Sequence, residues 1–270
     1  MTQNTASDLT TDMRKIPVWA FVVLAIVYLT ILQGLVRVLT PDLAVGYARF
    51  TSVTEIWRAL LMPFGVSVLF VVAVVTVLGW WRPVLRDHRP VRRWVWVVPI
   101  IMGVAIFGGI NYRELAGKEV GFTQLLLLGA LLVGCSEEGM YRGVGVTTFR
   151  VNGYSEGKVA LWSSVLFGLS HATNLFSVGR VAFVQVLAAA VAGYLLYLIR
   201  RLGGGLLLPV MVHGLRDFGL FISRLSEDGA VYAGTGLFVL ADLVIVVILL
   251  VRRRQIEPEE RVAGTPAVAQ

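Results

Sequence analysis

The chain has 270 residues, 57% of them hydrophobic and 15% charged, with a mean hydropathy of +0.77 and a formal net charge of +7. That composition excludes a soluble globular domain, in which a polar surface dilutes the apolar core, and defines a polytopic membrane protein. A nucleic-acid partner is excluded too, because the basic residues cluster at the ends of apolar segments instead of forming one patch; the single cysteine, Cys135, excludes an intramolecular disulfide.

In chain order, residues 1–16 read as a cytoplasmic tail, the first 13 of them disordered for want of apolar periodicity. Windows long enough to cross a hydrocarbon core of ~30 Å fall at 17–36, 60–81 and 94–110, then at 122–149, 159–177, 181–199 and 205–223, and finally at 231–251. The predicted fold class is therefore an all-α polytopic membrane protein, a bundle of about eight transmembrane helices. Residues 17–110 carry the first three spans, 111–224 the four that contain most ionisable side chains, 225–254 the last, and 255–270 a second cytoplasmic tail. The first window follows Arg14 and Lys15, exceeds the length of a signal-peptide core and has no cleavage site close behind it, so it reads as a retained anchor.

Segment 38–58 mixes Phe50, Ile56 and Trp57 with Arg49 and Arg58, which suits a short interfacial helix or a plain connector. In WWRPVLRDHRPVRRW, residues 80–94, tryptophans flank arginines in the manner of an interfacial anchor, and His88 reads as solvated. Leaving out Arg142 and Arg216 within spans, the two tails and the loops after spans two, four and six hold 15 Lys and Arg residues, against seven in the alternate loops. By the positive-inside rule both termini and the 82–93 loop face the cytoplasm of a multi-pass cell-membrane protein.

The fourth span contains Ser136-Glu137-Glu138-Gly139-Met140-Tyr141-Arg142. A charged side chain at the bilayer centre costs roughly 2.5–3.5 kcal/mol on insertion scales, so three in one helix demand pairing, burial and a return in function. Glu138 and Arg142 stand at i and i+4 on one face and can pair. Glu137 points about 100° away and is free for another task. Of only three histidines, His171 and His213 lie inside predicted spans. Glu137 is 13 residues before Arg150 and His171 is 13 after Lys158, which at 1.5 Å per residue sets both about 20 Å from the loop joining spans four and five. His213 follows Arg201 by 12 residues, about 18 Å from the same face by the same rise.

His213 and Asp217 are also at i and i+4, so the carboxylate can orient the imidazole, and Phe167 stands one turn before His171, where its ring can pack. Two His and up to three carboxylates could hold zinc, whose catalytic sites use three protein ligands and a water; neither HExxH nor GxSxG is present. Arg216 and Asp242 suit pairing with each other, Gln185 an interhelical hydrogen bond and Cys135 a packing role.

EEGMYR (Glu137 to Arg142) fits EExxxR, FGLSH (Phe167 to His171) fits FxxxH, and HGLRD (His213 to Asp217) fits HxxxN/D. Together, in this order and each in its own span, they resemble the motifs of the CAAX and bacteriocin-processing family of intramembrane endopeptidases, which includes the type II CAAX prenyl proteases. The resemblance covers residues 137–217. It implies an intramembrane cavity open to the cytosol and peptide-bond hydrolysis in a membrane-associated protein or peptide near the cytosolic face. Carried onto this chain, Glu137 with His171 would activate water, Glu138 with Arg142 would shape the site and contact substrate, and His213 with Asp217 would stabilise the oxyanion. Members of the family have been regarded both as metalloproteases and as glutamate-dependent enzymes. The reading taken here needs no cofactor; a zinc ion, if bound, would be held by Glu137, His171, His213 and Asp217. CAAX proteases carry Asn at the position of Asp217. Two other classes fit less well. A transporter of this size is expected to show repeated halves, which are absent. A catalytically idle immunity or binding protein is expected to have lost a core residue, yet Glu137, His171 and His213 are all present.

Overall fold

The structure, a computed structural model, describes residues 14–41, 50–175, 179–226 and 231–258. Residues 1–13, 42–49 and 259–270, on which the disordered tails and part of the first loop were expected, lie outside the described residues. Each apolar window holds a helix: α1 (Val18–Leu39), α2 (Val53–Leu78), α3 (Arg93–Gly109), α4 (Val120–Val151), α5 (Glu156–Ser170), α6 (Val181–Leu202), α7 (Leu207–Ile222) and α8 (Ala233–Gln255). Among the described residues there is no β-strand, only an isolated bridge between Arg86 and Gly205.

Five of these helices, α1, α2, α4, α6 and α8, are long and apolar enough to cross a membrane, and α3 is a shorter apolar helix. The other two, α5 and α7, have 15 and 16 residues. At 1.5 Å per residue these two are about 22–24 Å long, short of a ~30 Å hydrocarbon core. The eight-window count therefore locates the helices but overstates how many span by length. Polar residues explain the shortening of α5, where Ser170 Oγ donates to Phe167 O at 2.6 Å and the chain tightens into a 3₁₀ turn, His171–Asn174.

Two boundaries differ from the hydropathy reading. Helix α2 starts at Val53 because Ser52 Oγ accepts from Glu55 N at 3.3 Å while the Glu55 carboxylate accepts from Thr51 N at 2.6 Å, a reciprocal start of the capping-box type. Phe50 and Ile56 are buried and Phe50 meets Phe221 edge-on, so this stretch belongs to the bundle and is not an interfacial helix. After α2, Gly79 takes a left-handed φ of +71°, open to glycine without strain, and turns the chain so that Trp80 is fully buried.

The 80–94 segment folds against the end of the bundle through Trp80, Val84, Asp87 and Val91, while Trp81, Arg82, Leu85 and Arg86 stay exposed. Trp80 Nε1 donates to Arg14 O at 3.0 Å, and buried Asp87 accepts from Arg150 Nη1 at 2.8 Å and Arg200 Nε at 3.0 Å. Burial by itself would raise the Asp87 carboxyl, but the two guanidinium groups outweigh it and hold the carboxyl below its ordinary value. Arg150 also grips Glu156 through Nε and Nη2, at 3.0 and 2.8 Å, and Tyr197 donates to Glu156. His88 is exposed. Residues 14–17, 80–94, 150–158, 197–206 and 252–257 thus meet at one end, which carries most of the arginines.

Helix α4 is central. Every residue from Glu138 to Phe149 is buried, whereas α1 and α8 turn Trp19, Ile26, Leu240 and Leu243 outward, as faces against lipid do. Helices α4 and α7 touch backbone to backbone: a Cβ on Gly134 would lie 2.7 Å from Val210 O, and one on Gly214 would lie 3.0 Å from Ala130 O. Small residues are what allow such approach between membrane helices. Gly134→Val is expected to lower stability by about 1–3 kcal/mol or more through overpacking, read as a lower thermal midpoint in detergent. An unchanged midpoint would contradict the crossing.

Candidate active site

EExxxR straddles a change of helical form. Glu137 and Glu138 end the α-helical part of α4, and Gly139–Gly145 is π-helical, a wide turn found disproportionately at functional sites. Glycines make room for it: a Cβ on Gly139, Gly143 or Gly145 would come within 2.9, 2.9 and 2.7 Å of Val71, Val84 and Phe21. Arg142 Nη1 donates to Glu138 Oε1 at 2.9 Å, and neither side chain is exposed. The i,i+4 pair expected from the sequence is therefore present.

Helix α7 closes on the same carboxylate. His213 Nδ1 donates to Glu138 Oε1 at 2.8 Å, so one buried oxygen receives both Arg142 and His213. His213 Nε2 lies 3.7 Å from Glu137 Oε2 and 3.6 Å from Asp217 Oδ2, beyond hydrogen-bond distance in both cases. The hydrogen bond of the imidazole thus goes to Glu138 and not to Asp217 one turn further along its own helix. Asp217 stays beside the other ring nitrogen, within ion-pair range and without a hydrogen bond.

His171 enters from the 3₁₀ turn that follows α5. Its Nδ1 donates to Phe167 O at 3.0 Å, with Ser170 Oγ 3.3 Å away, so in the neutral ring the lone pair is on Nε2. No hydrogen bond joins His171 to Glu137 among those of the described residues; the two are linked through Phe167 and His213. The Phe167 ring meets His171 at 5.0 Å and His213 at 5.8 Å between centroids, both nearly perpendicular, and the Arg142 guanidinium carbon sits 4.0 Å over it. Such a cation over an aromatic face is attracted by the ring quadrupole. Phe167 is the common wall of all three motifs, a reach that its spacing to His171 alone did not show.

Buried polar atoms lacking a partner gather here. They include Glu137 Oε2, Glu138 Oε2, Arg142 Nε and Nη2, and Ser164 Oγ. Buried groups of this kind are ordinarily satisfied, and exceptions mark sites where a further molecule binds or reacts. A glycine that the motifs do not include also matters: a Cβ on Gly193 of α6 would lie 3.1 Å from Arg142 Nη2 and 3.2 Å from the Phe167 ring. Only packing reveals it, since a glycine in an apolar helix carries no chemical signal of its own.

A cavity of about 330 Å³ adjoins the site, lined by Phe167, His171, His213, Arg216 and Asp217 together with residues of α6. Glu138 and Arg142 stand behind this wall, fully buried, whereas the Glu137 side chain keeps 14% exposure. Arg216 pairs with Asp242 at 2.7 Å and Gln185 accepts from Asn174 at 3.0 Å, so these ionisable and polar groups hold helices and turns together. Among the described residues no three His, Cys, Asp or Glu side chains form a group able to hold a metal ion. His213 Nδ1 donates to Glu138, which leaves Nε2 facing Glu137 Oε2 at 3.7 Å and Asp217 Oδ2 at 3.6 Å, while His171 Nδ1 bonds Phe167 O.

A bundle of apolar helices that gathers carboxylates, histidines and an arginine from three of them is a polytopic membrane protein with a polar site inside. Residues 119–219, from the start of α4 to the fourth turn of α7, match the family described as Type II CAAX prenyl endopeptidase Rce1-like. The matched segment contains all three motifs and supports the CAAX and bacteriocin-processing protease family for this chain. A search of curated proteins finds no match.

Proposed function

We propose that the protein is an intramembrane endopeptidase that hydrolyses a peptide bond of a membrane-associated protein or peptide, with Glu137 as general base. The observation that carries this reading is the division between the two carboxylates: Glu138 is locked under Arg142 and His213, while Glu137 keeps an unpartnered Oε2 3.7 Å from His213 and some exposure. In the proposed reaction Glu137 takes a proton from water as its oxygen attacks the scissile carbonyl carbon. His213, donating from Nε2, stabilises the resulting oxyanion. The C–N bond then breaks, and the proton held by Glu137 passes to the leaving amine. His171, its tautomer set by Phe167 O, accepts from the attacking water through Nε2.

The proposed steps run through Glu137, His171 and His213 alone. Asp217 tests the role of the third motif. Asp217→Asn keeps turnover or raises it, because the amide donates at any pH; Asp217→Ala separates the roles, since it keeps turnover if the carboxylate only flanks His213, at 3.6 Å, and lowers it by about 10²–10³-fold if a needed oxyanion donor is lost. The function itself is tested with purified protein in liposomes that carry membrane-anchored peptides, products being identified by mass spectrometry. Cleavage at defined bonds supports the reading, and product formation no greater than in protein-free liposomes contradicts it.

A further inference from the structure

His171 is carried by a 3₁₀ turn, whereas Glu137, Glu138, Arg142, His213 and Asp217 stand on helices α4 and α7. Such turns have poorer hydrogen-bond geometry than an α-helix, and this one is thinly packed: none of its four residues is fully buried, and Ala172 is exposed. The bond from His171 Nδ1 to Phe167 O, at 3.0 Å, sets the tautomer of the ring. Keeping the turn in place calls for ties from outside it. Two glutamines, each on a long apolar helix, supply them. Gln33 Nε2 of α1 donates to Thr173 Oγ1 at 3.1 Å, and Asn174 Nδ2 donates to Gln185 Oε1 of α6 at 3.0 Å. Thr173 Oγ1 directs its own hydrogen to Ser170 O, at 2.9 Å, so toward Gln33 it can only accept. The chain of bonds from Gln33 therefore ends on the residue just before His171.

We infer that Gln33 is a positioning residue that holds the His171 imidazole in place through Thr173, so that α1, which lies outside the matched residues 119–219, is part of the working site. The effect on rate rests on the endopeptidase reading; the placement of the ring does not. The same helix reaches the neighbour of the other reacting group, since Tyr28 Oη donates to Ser136 Oγ at 3.1 Å, one residue before Glu137. Magnitudes favour placement over stability. Single hydrogen bonds between membrane helices contribute little to stability on average, whereas a misplacement of about 1 Å can cost roughly 10²-fold in rate. Neither Gln33 nor Thr173 lines the cavity, so binding of a polypeptide there does not run through them. Gln185 does line it, which leaves Gln33 as the tie that acts from outside the cavity.

Three variants test the tie from both of its ends. Thr173→Val keeps the shape of the side chain and removes the hydroxyl, Thr173→Ser keeps the hydroxyl, and Gln33→Met removes the donor. On a membrane-anchored peptide, kcat is expected to fall by about 10- to 10²-fold in Thr173→Val and Gln33→Met, with KM and the thermal midpoint in detergent close to wild type, and to recover in Thr173→Ser. The two losses should not add in the double variant, because both remove one bond. Histidine ¹⁵N NMR reads the ring independently of turnover. The chain has only three histidines, and the His171 signal is the one lost in His171→Ala. In wild type it should report a proton on Nδ1, and in Thr173→Val and Gln33→Met it should shift or broaden. An unmoved His171 signal or a wild-type kcat in both variants overturns the inference. So does a Thr173→Ser protein as slow as Thr173→Val, or a loss of rate that merely follows a fall in thermal midpoint. If the wild type cleaves nothing while the His171 signal still moves in both variants, the endopeptidase reading fails and the positioning of the ring stands.

Discussion

Glu137→Ala is expected to lower peptide cleavage by about 10²- to 10⁴-fold, the contribution of a positioned acid or base, in a protein that still inserts and elutes as a folded species. The second half of that expectation comes from the geometry. Glu137 Oε2 makes no hydrogen bond and its nearest charged neighbour is 3.7 Å away, so the truncation breaks no strong interaction and leaves no ion stranded. His171→Ala is expected to behave similarly, since its one backbone hydrogen bond is local to the turn that holds it. Initial rates on a membrane-anchored peptide, measured beside circular dichroism, check both variants. Near-wild-type turnover in Glu137→Ala would remove it as the base.

Glu138→Ala should fail differently. The carboxylate is fully buried and receives Arg142 at 2.9 Å and His213 at 2.8 Å through one oxygen, so its loss strands a guanidinium with no exposed atoms and frees the imidazole. Breaking a buried pair by removing one partner costs about 3–5 kcal/mol, whereas replacing both partners by apolar side chains of similar volume is often neutral or better. Glu138→Ala is therefore expected to express poorly and to unfold at much lower temperature in detergent. A Glu138→Leu, Arg142→Met double variant is expected to regain stability and to remain inactive, because His213 still lacks the acceptor that orients it. Equal thermal midpoints for Glu138→Ala and wild type would show that the pair carries neither burden.

These two adjacent glutamates also show what could be read from the chain. Helix positions followed from apolar windows, and the Glu138 to Arg142 pair followed from i,i+4 spacing within one helix, where local geometry decides which side chains meet. Arg216 and Asp242 likewise found each other, since two opposite charges in apolar spans have few alternatives. The bond from His213 to Glu138 links residues 75 apart and depends on how α7 is rotated against α4, which spacing within α7 does not encode. The closer sequence neighbour, Asp217, ends 3.6 Å from the ring. Phe167 touching Arg142, and Gly193 leaving room for both, are consequences of three helices meeting and have no one-dimensional signature. The fold-back at 80–94 was hidden for a different reason. Its tryptophans and arginines have the composition of an interfacial belt, and what ties the segment to the bundle is the buried acceptor Asp87 and the carbonyls of Pro83 and Val84, bound by Arg150 and Arg200.

Cleavage of a membrane-anchored peptide by the purified protein, with and without a metal chelator and beside Glu137→Ala, bears most directly on a glutamate-driven site inside the membrane. Turnover that persists in the chelator and is lost in Glu137→Ala is the predicted result. Turnover that the chelator abolishes and added zinc restores, with Asp217→Asn inactive and weakened in metal binding, would contradict it.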